Sequence, residues 1–413
     1  MTATADTGIT FVDADGHVLE PPSGLQEFVA ADYRDRVWHL ERDDAGAEWV
    51  VADGSRSPAN TFTLAGAAGF TEEDKQRALE GVFTYSEACQ YGWDPDLRVQ
   101  AMDKDGIAVS VLYPTQMLAI QAWPDLDYAV ASCRAYNDWL SDHCERGPKG
   151  RLFGVAVLPQ QSVEASEAEL RRVAKLPHIV GAFLRPNPTA DWKHFHHEVY
   201  DPIWRAAGDT NLAIGFHPYL DAMLPGAAQG LRVGMLRMNT ELRKTMPDEV
   251  GSAIPGLPTH IDNMAFVQAI ANPVDMMTAV TFITMGGVCE RFPDARFVFL
   301  EANGGWIVPW LERLDHHAHE FPWDMPGLQH TPSEYFRRQC YISFDPDEAG
   351  LPLAATHELC GADRIVWASD FPHPDAKYPG VTEELMEATG SLDDDSRRLI
   401  AGQNALRLYG LTS

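Results

Sequence analysis

Basic residues are scarce in this chain: Lys and Arg number 32 against 60 Asp and Glu, a formal charge of −28 over 413 residues. Nucleic acid and anionic membranes both demand a net basic face, so neither is an expected partner. The acidity is spread along the chain, the pattern of a solvated surface. Long apolar runs are also missing, and stretches such as residues 365–368 are far too short to span a bilayer. The opening Met1-Thr2-Ala3-Thr4-Ala5-Asp6 lacks the basic start and apolar core of a signal peptide. Six cysteines at 89, 133, 144, 289, 340 and 360 include no C-x-x-C pair, which excludes a zinc knuckle and a disulfide framework. A cytoplasmic protein with reduced thiols is expected.

What the chain does have is a repeated theme. A short β-rich apolar run, a polar or Gly/Pro-marked exit and a helical stretch follow one another eight times. The strands are expected at 10–14, 108–113, 152–158, 179–184, 212–216, 296–300, 340–344 and 364–368. Helical patterns lie between them, among them 128–146, 162–175, 191–207 and 266–290. Near-continuous apolar strands alternating with helices point to an α/β (β/α)8 TIM barrel with both faces of its sheet covered. A doubly wound open sheet is the alternative. It would normally carry a Gly-rich phosphate turn after its first strand, and Asp-Gly-His is not one.

The chain reads as one barrel domain, 1–413, with two long insertions. About eighty residues, 20–97, follow strand one where ~25 complete an ordinary βα unit. They are rich in acidic, Gly and aromatic residues, including Trp38, Trp49, Tyr85 and Trp93. A second interval, 219–263, follows strand five and carries Met223, Met235, Met238 and Met246, with Arg232, Arg237 and Arg243. Both leave the face where barrel active sites lie, so they are expected to wall a substrate pocket, with a dimer contact as the alternative. A homodimer is the expected assembly.

Chemistry gathers at the strand exits. Asp13-Ala14-Asp15-Gly16-His17 ends strand one, and residues two apart in an extended segment share a face. Asp15 and His17 can therefore grip one ion, with Asp13 orienting them. Strand five exits through His217-Pro218, and strand eight through Ser369-Asp370-Phe371-Pro372-His373. In a closed barrel strands eight and one are neighbours, so Asp15, His17, His217 and Asp370 can converge. Two imidazoles and two carboxylates suit one divalent ion, Zn²⁺ first, with Mn²⁺ or Fe²⁺ as alternatives. Arg185, in Arg-Pro-Asn-Pro after strand four, is a candidate for holding a substrate carboxylate, although the segment also reads as a structural turn. Tyr113, Gln116 and His373 are further candidate substrate contacts. The triplet His316-His317-His319 reads as a solvated helix face and not as a second metal site.

These motifs resemble the amidohydrolase-related branch of the amidohydrolase superfamily, the group of aminocarboxymuconate-semialdehyde decarboxylase and related metal-dependent hydrolases. The resemblance rests on Val12-Asp13-Ala14-Asp15-Gly16-His17, on Met102-Asp103-Lys104-Asp105-Gly106-Ile107 leading into Val111-Leu112-Tyr113-Pro114, and on Gly181-Ala182-Phe183-Leu184-Arg185-Pro186. It continues through Phe216-His217, Leu300-Glu301-Ala302-Asn303-Gly304-Gly305-Trp306 and Ala368-Ser369-Asp370-Phe371-Pro372-His373. The family usually opens with His-x-His or Glu-x-His; here Asp15 takes the first position. Strand four offers Phe183 and Leu184 where members with two metals carry a carboxylated lysine, which implies one metal. The family's decarboxylases also carry a His before the Gly pair after strand six, and this chain has none.

The expected function is hydrolysis of a small organic amide, ester or carbon–carbon bond by metal-activated water. Asp370 would take the proton from that water and Glu301 would shuttle one to the leaving group. The alternative for Glu301 is a helix cap or an Arg partner. Non-oxidative decarboxylation of an aromatic or dienoic acid is the second reading, and a non-catalytic metal-binding barrel the third.

Overall fold

A computed structural model describes residues 8–190, 193–219, 224–231, 233–234, 261–262 and 264–411. Eight parallel strands run in chain order round one sheet: β1 Phe11–His17, β2 Ile107–Tyr113, β3 Leu152–Val157, β4 Ile179–Leu184, β5 Ala213–Phe216, β6 Phe297–Phe299, β7 Cys340–Phe344 and β8 Ile365–Trp367. Helices alternate with the strands, the architecture of a (β/α)8 TIM barrel. Each strand falls within three residues of its expected bounds. The largest difference is β1, which continues to His17 and so carries the candidate ligands inside the strand.

The seam between β8 and β1 is closed by site residues themselves. The His17 amide donates to the Phe371 carbonyl at 2.8 Å, and the Asp370 amide to the Asp15 carbonyl at 3.2 Å. Between β1 and β2 the register slips: Asp13 pairs with Ser110 but Gly16 with Leu112. One extra residue on β1 makes a bulge, which re-aims side chains on either side of it.

Apolar packing fills both sides of the sheet. Phe216 and Phe299 stack at 5.4 Å with rings 8° apart, and Trp204 is fully buried against Phe216 and Phe297. The helix Leu126–Arg146 starts where Asp125 accepts from the Tyr128 amide. Asn211, left-handed at φ 58°, ends Asp201–Thr210. That helix was expected from 191; the described residues 193–197 before it are not helical.

The stretch between β1 and β2 holds an antiparallel sheet of His39–Arg42, Glu48–Ala52 and Ser55–Pro58. A small core of Leu19, Trp38, Val50, Ala59, Tyr85 and Cys89 lies under it. Of the second interval, Ala227–Leu231 is helical and Val233–Gly234 pairs in parallel with Ile261–Asp262. Met223, Met235, Met238, Met246, Arg232, Arg237, Arg243 and Asn263 lie outside the described residues. One apolar run was underestimated: Met264–Thr284 is long and apolar enough to cross a membrane by length and composition alone. Its Met276, Ala279, Val280 and Ile283 belong to the barrel core. All six cysteines are free and buried.

Candidate metal centre and active site

The strand ends bring Asp15, His17, His217, Glu301 and Asp370 to one point. The Nε2 atoms of His17 and His217 lie 3.2 Å apart. Asp370 Oδ1 is 3.2 Å from His17 Nε2, and Glu301 Oε2 is 3.0 Å from His217 Nε2. Asp15 spans both rings, at 3.7 Å from His17 and 3.8 Å from His217.

Backbone carbonyls fix the imidazole tautomers. His17 Nδ1–H donates to Pro114 O at 2.7 Å and His217 Nδ1–H to Pro218 O at 2.8 Å. A carbonyl only accepts, so each Nε2 is left as a bare lone pair aimed at the other. Burial, with the charges of His373 and the partner imidazole, pushes the His17 pKa well down, and burial takes His217 to about 3. Both rings are therefore neutral donors.

The carboxylates are forced the opposite way. Asp15 is pushed well up by burial and by Asp370 and Asp13, and Glu301 by burial, Asp370 and Asp375. Burial lifts Asp370 to about 7. Asp15 Oδ1 is buried with no hydrogen-bond partner among the described residues. Two facing lone pairs, an orphaned carboxylate oxygen and mutually repelling acids fit one divalent cation, which would satisfy all of them. Asp15, His17 and His217 form one group with metal-binding spacing, and His17, Asp370 and His373 another.

Backbone strain marks the same place. Asp370 (φ 51°), Glu301 (φ 44°) and Asn303 (φ 52°) are left-handed non-glycine residues just past β8 and β6. Such conformations cost about 1–3 kcal/mol each and persist where the surroundings hold them.

The other sequence candidates are placed differently. His373 lies beside the cluster, its ring centroid 4.1 Å from that of His17 and its Nδ1 2.7 Å from Asp370 Oδ1. Tyr113 is fully buried, stacked on His217 at 5.7 Å, and bonds its hydroxyl to Tyr409 at 3.0 Å. Gln116 donates its backbone N–H to Glu20 at 2.9 Å. Arg185 is buried 5.5 Å from the Tyr219 ring, where its charge helps hold the His217 pKa down. Asp13 lies behind the cluster: it accepts from the Asp15 backbone N–H at 3.4 Å, from Ser369 N at 2.9 Å and from the hydroxyls of Ser369 and Ser110 at 2.8 Å. His316, His317 and His319 lie on the helix Ile307–Glu320, outside both metal-spaced groups among the described residues.

Sequence reasoning missed Thr115, Glu20, Asp375 and Arg98. Thr115 Oγ1 contacts His373 Nε2 at 3.1 Å and donates to Val18 O at 2.7 Å. Glu20 accepts from the Gln116 and Met117 amides at 2.9 and 3.0 Å, while burial raises its pKa to about 7. Asp375, two residues past His373 in Pro372-His373-Pro374-Asp375, was visible as a second acid on the same exit.

A parallel barrel with a two-imidazole, multi-carboxylate cluster at its strand ends defines a class of enzyme that works at a bound metal. The chain belongs to the amidohydrolase family, whose profile, described as Amidohydrolase, matches residues 12–411. It is 24% identical over 336 residues to 2-amino-3-carboxymuconate-6-semialdehyde decarboxylase of Dictyostelium discoideum, covering 81% of each chain. It is 28% identical over 357 residues to gamma-resorcylate decarboxylase of Rhizobium sp. (strain MTP-10005), covering 84% of this chain and 94% of that one. The fold matches 5-carboxyvanillate decarboxylase of Novosphingobium aromaticivorans at TM-score 0.61 and 18% identity, over 98% of each chain. That structure contains manganese and 3-methoxy-4-hydroxy-5-nitrobenzoic acid. These relatives are decarboxylases, so they favour the second expected reading over hydrolysis.

Proposed function

We propose that this chain is a metal-dependent carboxy-lyase that removes CO2 non-oxidatively from an aromatic or dienoic carboxylic acid. One observation carries the reading: the hydrogen bonds of His373 leave an acidic proton between it and Asp370. Thr115 gives its hydroxyl hydrogen to Val18 O, so its oxygen accepts from His373 Nε2–H. The 2.7 Å bond from His373 Nδ1 to Asp370 Oδ1 then needs a second proton. Burial pulls the His373 pKa down, but Asp370, Asp375 and Glu20 outweigh it and hold it above its ordinary value. The pair is an acid at the edge of the cluster, where a carbon losing CO2 must be protonated.

Asp15, His17, His217 and Asp370 would hold one divalent ion, zinc or manganese, with Glu301 in reach of the same point. When bound, that ion supplies a Lewis-acidic anchor for the substrate carboxylate and a neighbouring oxygen. Arg185 orients a further anionic group of the substrate. The Asp370–His373 pair gives its proton to the carbon that carries the carboxylate. The bond to CO2 then breaks, its electron pair returns to the ring or diene, and no redox change occurs. Solvent returns the proton to His373.

The test is product analysis with hydroxybenzoates and dienoic amino acids in D2O and in H2¹⁸O. The reading expects CO2 release with one deuterium at the vacated carbon and no ¹⁸O in the organic product. Solvent oxygen in the product without CO2 release would restore hydrolysis.

A further inference from the structure

Helix Pro95–Lys104 contributes a buried arginine that touches no candidate ligand side chain, yet reaches the backbone of both ligand-bearing strand ends. Arg98 Nη1 donates to His17 O at 2.6 Å and to Phe371 O at 3.0 Å. Phe371 follows Asp370, so one nitrogen joins the carbonyls at the ends of β1 and β8. Nη2 donates to Ser110 Oγ at 3.2 Å, Ser110 Oγ donates to Asp13 Oδ2 at 2.8 Å, and Asp13 accepts from Ser369 N and Oγ. The guanidinium lies 4.8 Å from the Phe371 ring. A chain of bonds thus runs from β8 through β1 and β2 back to Arg98.

Gly16 shows how tightly this network fills its space. A Cβ there would lie 2.4 Å from Asp13 Oδ2, 2.5 Å from Arg98 Nη2 and 2.6 Å from Ser110 Oγ. The Asp-Ala-Asp-Gly-His motif therefore has two functions. Asp15 and His17 face the cluster, while the bulge turns Asp13 into the bracing network and Gly16 leaves room for it.

We propose that Arg98 is a positioning residue for the metal centre, locking the ends of β1 and β8 so that Asp15, His17 and Asp370 meet at one point. The inference rests on the reading that these residues hold a cation. Without Arg98 the seam would keep the bonds of His17 N, Asp370 N and Asp13 to Ser369 but lose the clamp on the two carbonyls, and any spreading there separates the ligands. Groups that orient metal ligands from behind typically change affinity by about 10–100-fold when removed.

The test is manganese affinity of the metal-stripped protein, by competition with a chelator, for wild type, Arg98→Met, Arg98→Lys and Asp13→Asn. Leu170→Ala, in the buried face of Val163–Val173, is the control for lost stability alone. Arg98→Met is expected to bind about 10–100-fold more weakly, with partial recovery in Arg98→Lys. Asp13→Asn should fall between wild type and Arg98→Met, and it carries the test if Arg98→Met does not fold. Leu170→Ala should lower Tm with affinity within twofold of wild type. Wild-type affinity in Arg98→Met or, if that fails to fold, in Asp13→Asn would overturn the proposal, as would a Leu170→Ala loss matching theirs at equal Tm. If wild type and His217→Ala bind manganese equally, the cation reading itself fails, a result distinct from either.

Discussion

Two buried imidazoles, His17 and His217, face each other Nε2 to Nε2 at 3.2 Å while both Nδ1 atoms are committed to backbone carbonyls. Neither nitrogen has a proton to offer the other, and a positive centre between the pair and the surrounding carboxylates would satisfy both lone pairs. Truncating either ring removes a donor from that centre. Alanine at His17 or His217 should bring decarboxylation to background, which an assay of CO2 release checks.

Arg185 is expected to act on binding. A charged hydrogen bond to a substrate carboxylate contributes about 1.5–3 kcal/mol, roughly 10–150-fold. Arg185→Met should raise KM by about that factor with kcat little changed, in steady-state kinetics. A fall in kcat at constant KM would place the guanidinium with the reacting groups instead.

Tyr113 is expected to act on packing. Its hydroxyl meets Tyr409, which still donates to Ala14 O at 2.9 Å without it. Tyr113→Phe should cost about 0.5–1.5 kcal/mol in urea denaturation and leave KM unchanged. Gly215→Ala should cost more, about 1–3 kcal/mol, because the added Cβ would stand 2.2 Å from that hydroxyl.

Stability should fall in acid through His143. The ring is fully buried on Leu126–Arg146, both nitrogens lack hydrogen-bond partners among the described residues, and burial lowers its pKa to about 3. Its unfolded value is about 6.5. Between those values the unfolded chain binds the proton and the folded one does not. The contribution is thus full above about pH 6.5 and is lost on acidification towards pH 3, at up to about 1.4 kcal/mol per pH unit. Glu20, raised to about 7, acts in reverse: it favours the folded state at low pH and loses that effect as pH rises from about 4.5 to 7. His143→Leu should therefore flatten the acid limb of Tm against pH; an unchanged limb would assign it to other groups.

The barrel and most of the cluster were legible because both are written locally. Apolar runs such as Val109-Ser110-Val111-Leu112-Tyr113 announce buried strands, and a carboxylate or imidazole at the exit of such a run needs a partner. Arg98 was not legible, because its partners, two backbone carbonyls and the Ser110 hydroxyl, are brought close only by barrel closure. The orientation of Tyr113 was not legible either, because it depends on Tyr409 at the far end of the chain. The sheet His39–Pro58 escaped notice because its outer strands, His-Leu-Glu-Arg and Ser-Arg-Ser-Pro, carry little apolar patterning.

The most direct measurement of the central claim is CO2 release by metal-stripped protein before and after adding one equivalent of Mn²⁺ or Zn²⁺, with bound metal counted per chain. The account predicts no release from the stripped protein, restored release at one ion per chain, and neither binding nor release in His17→Ala or His217→Ala. Full decarboxylation by the stripped protein, or metal binding undiminished in both histidine variants, would contradict it.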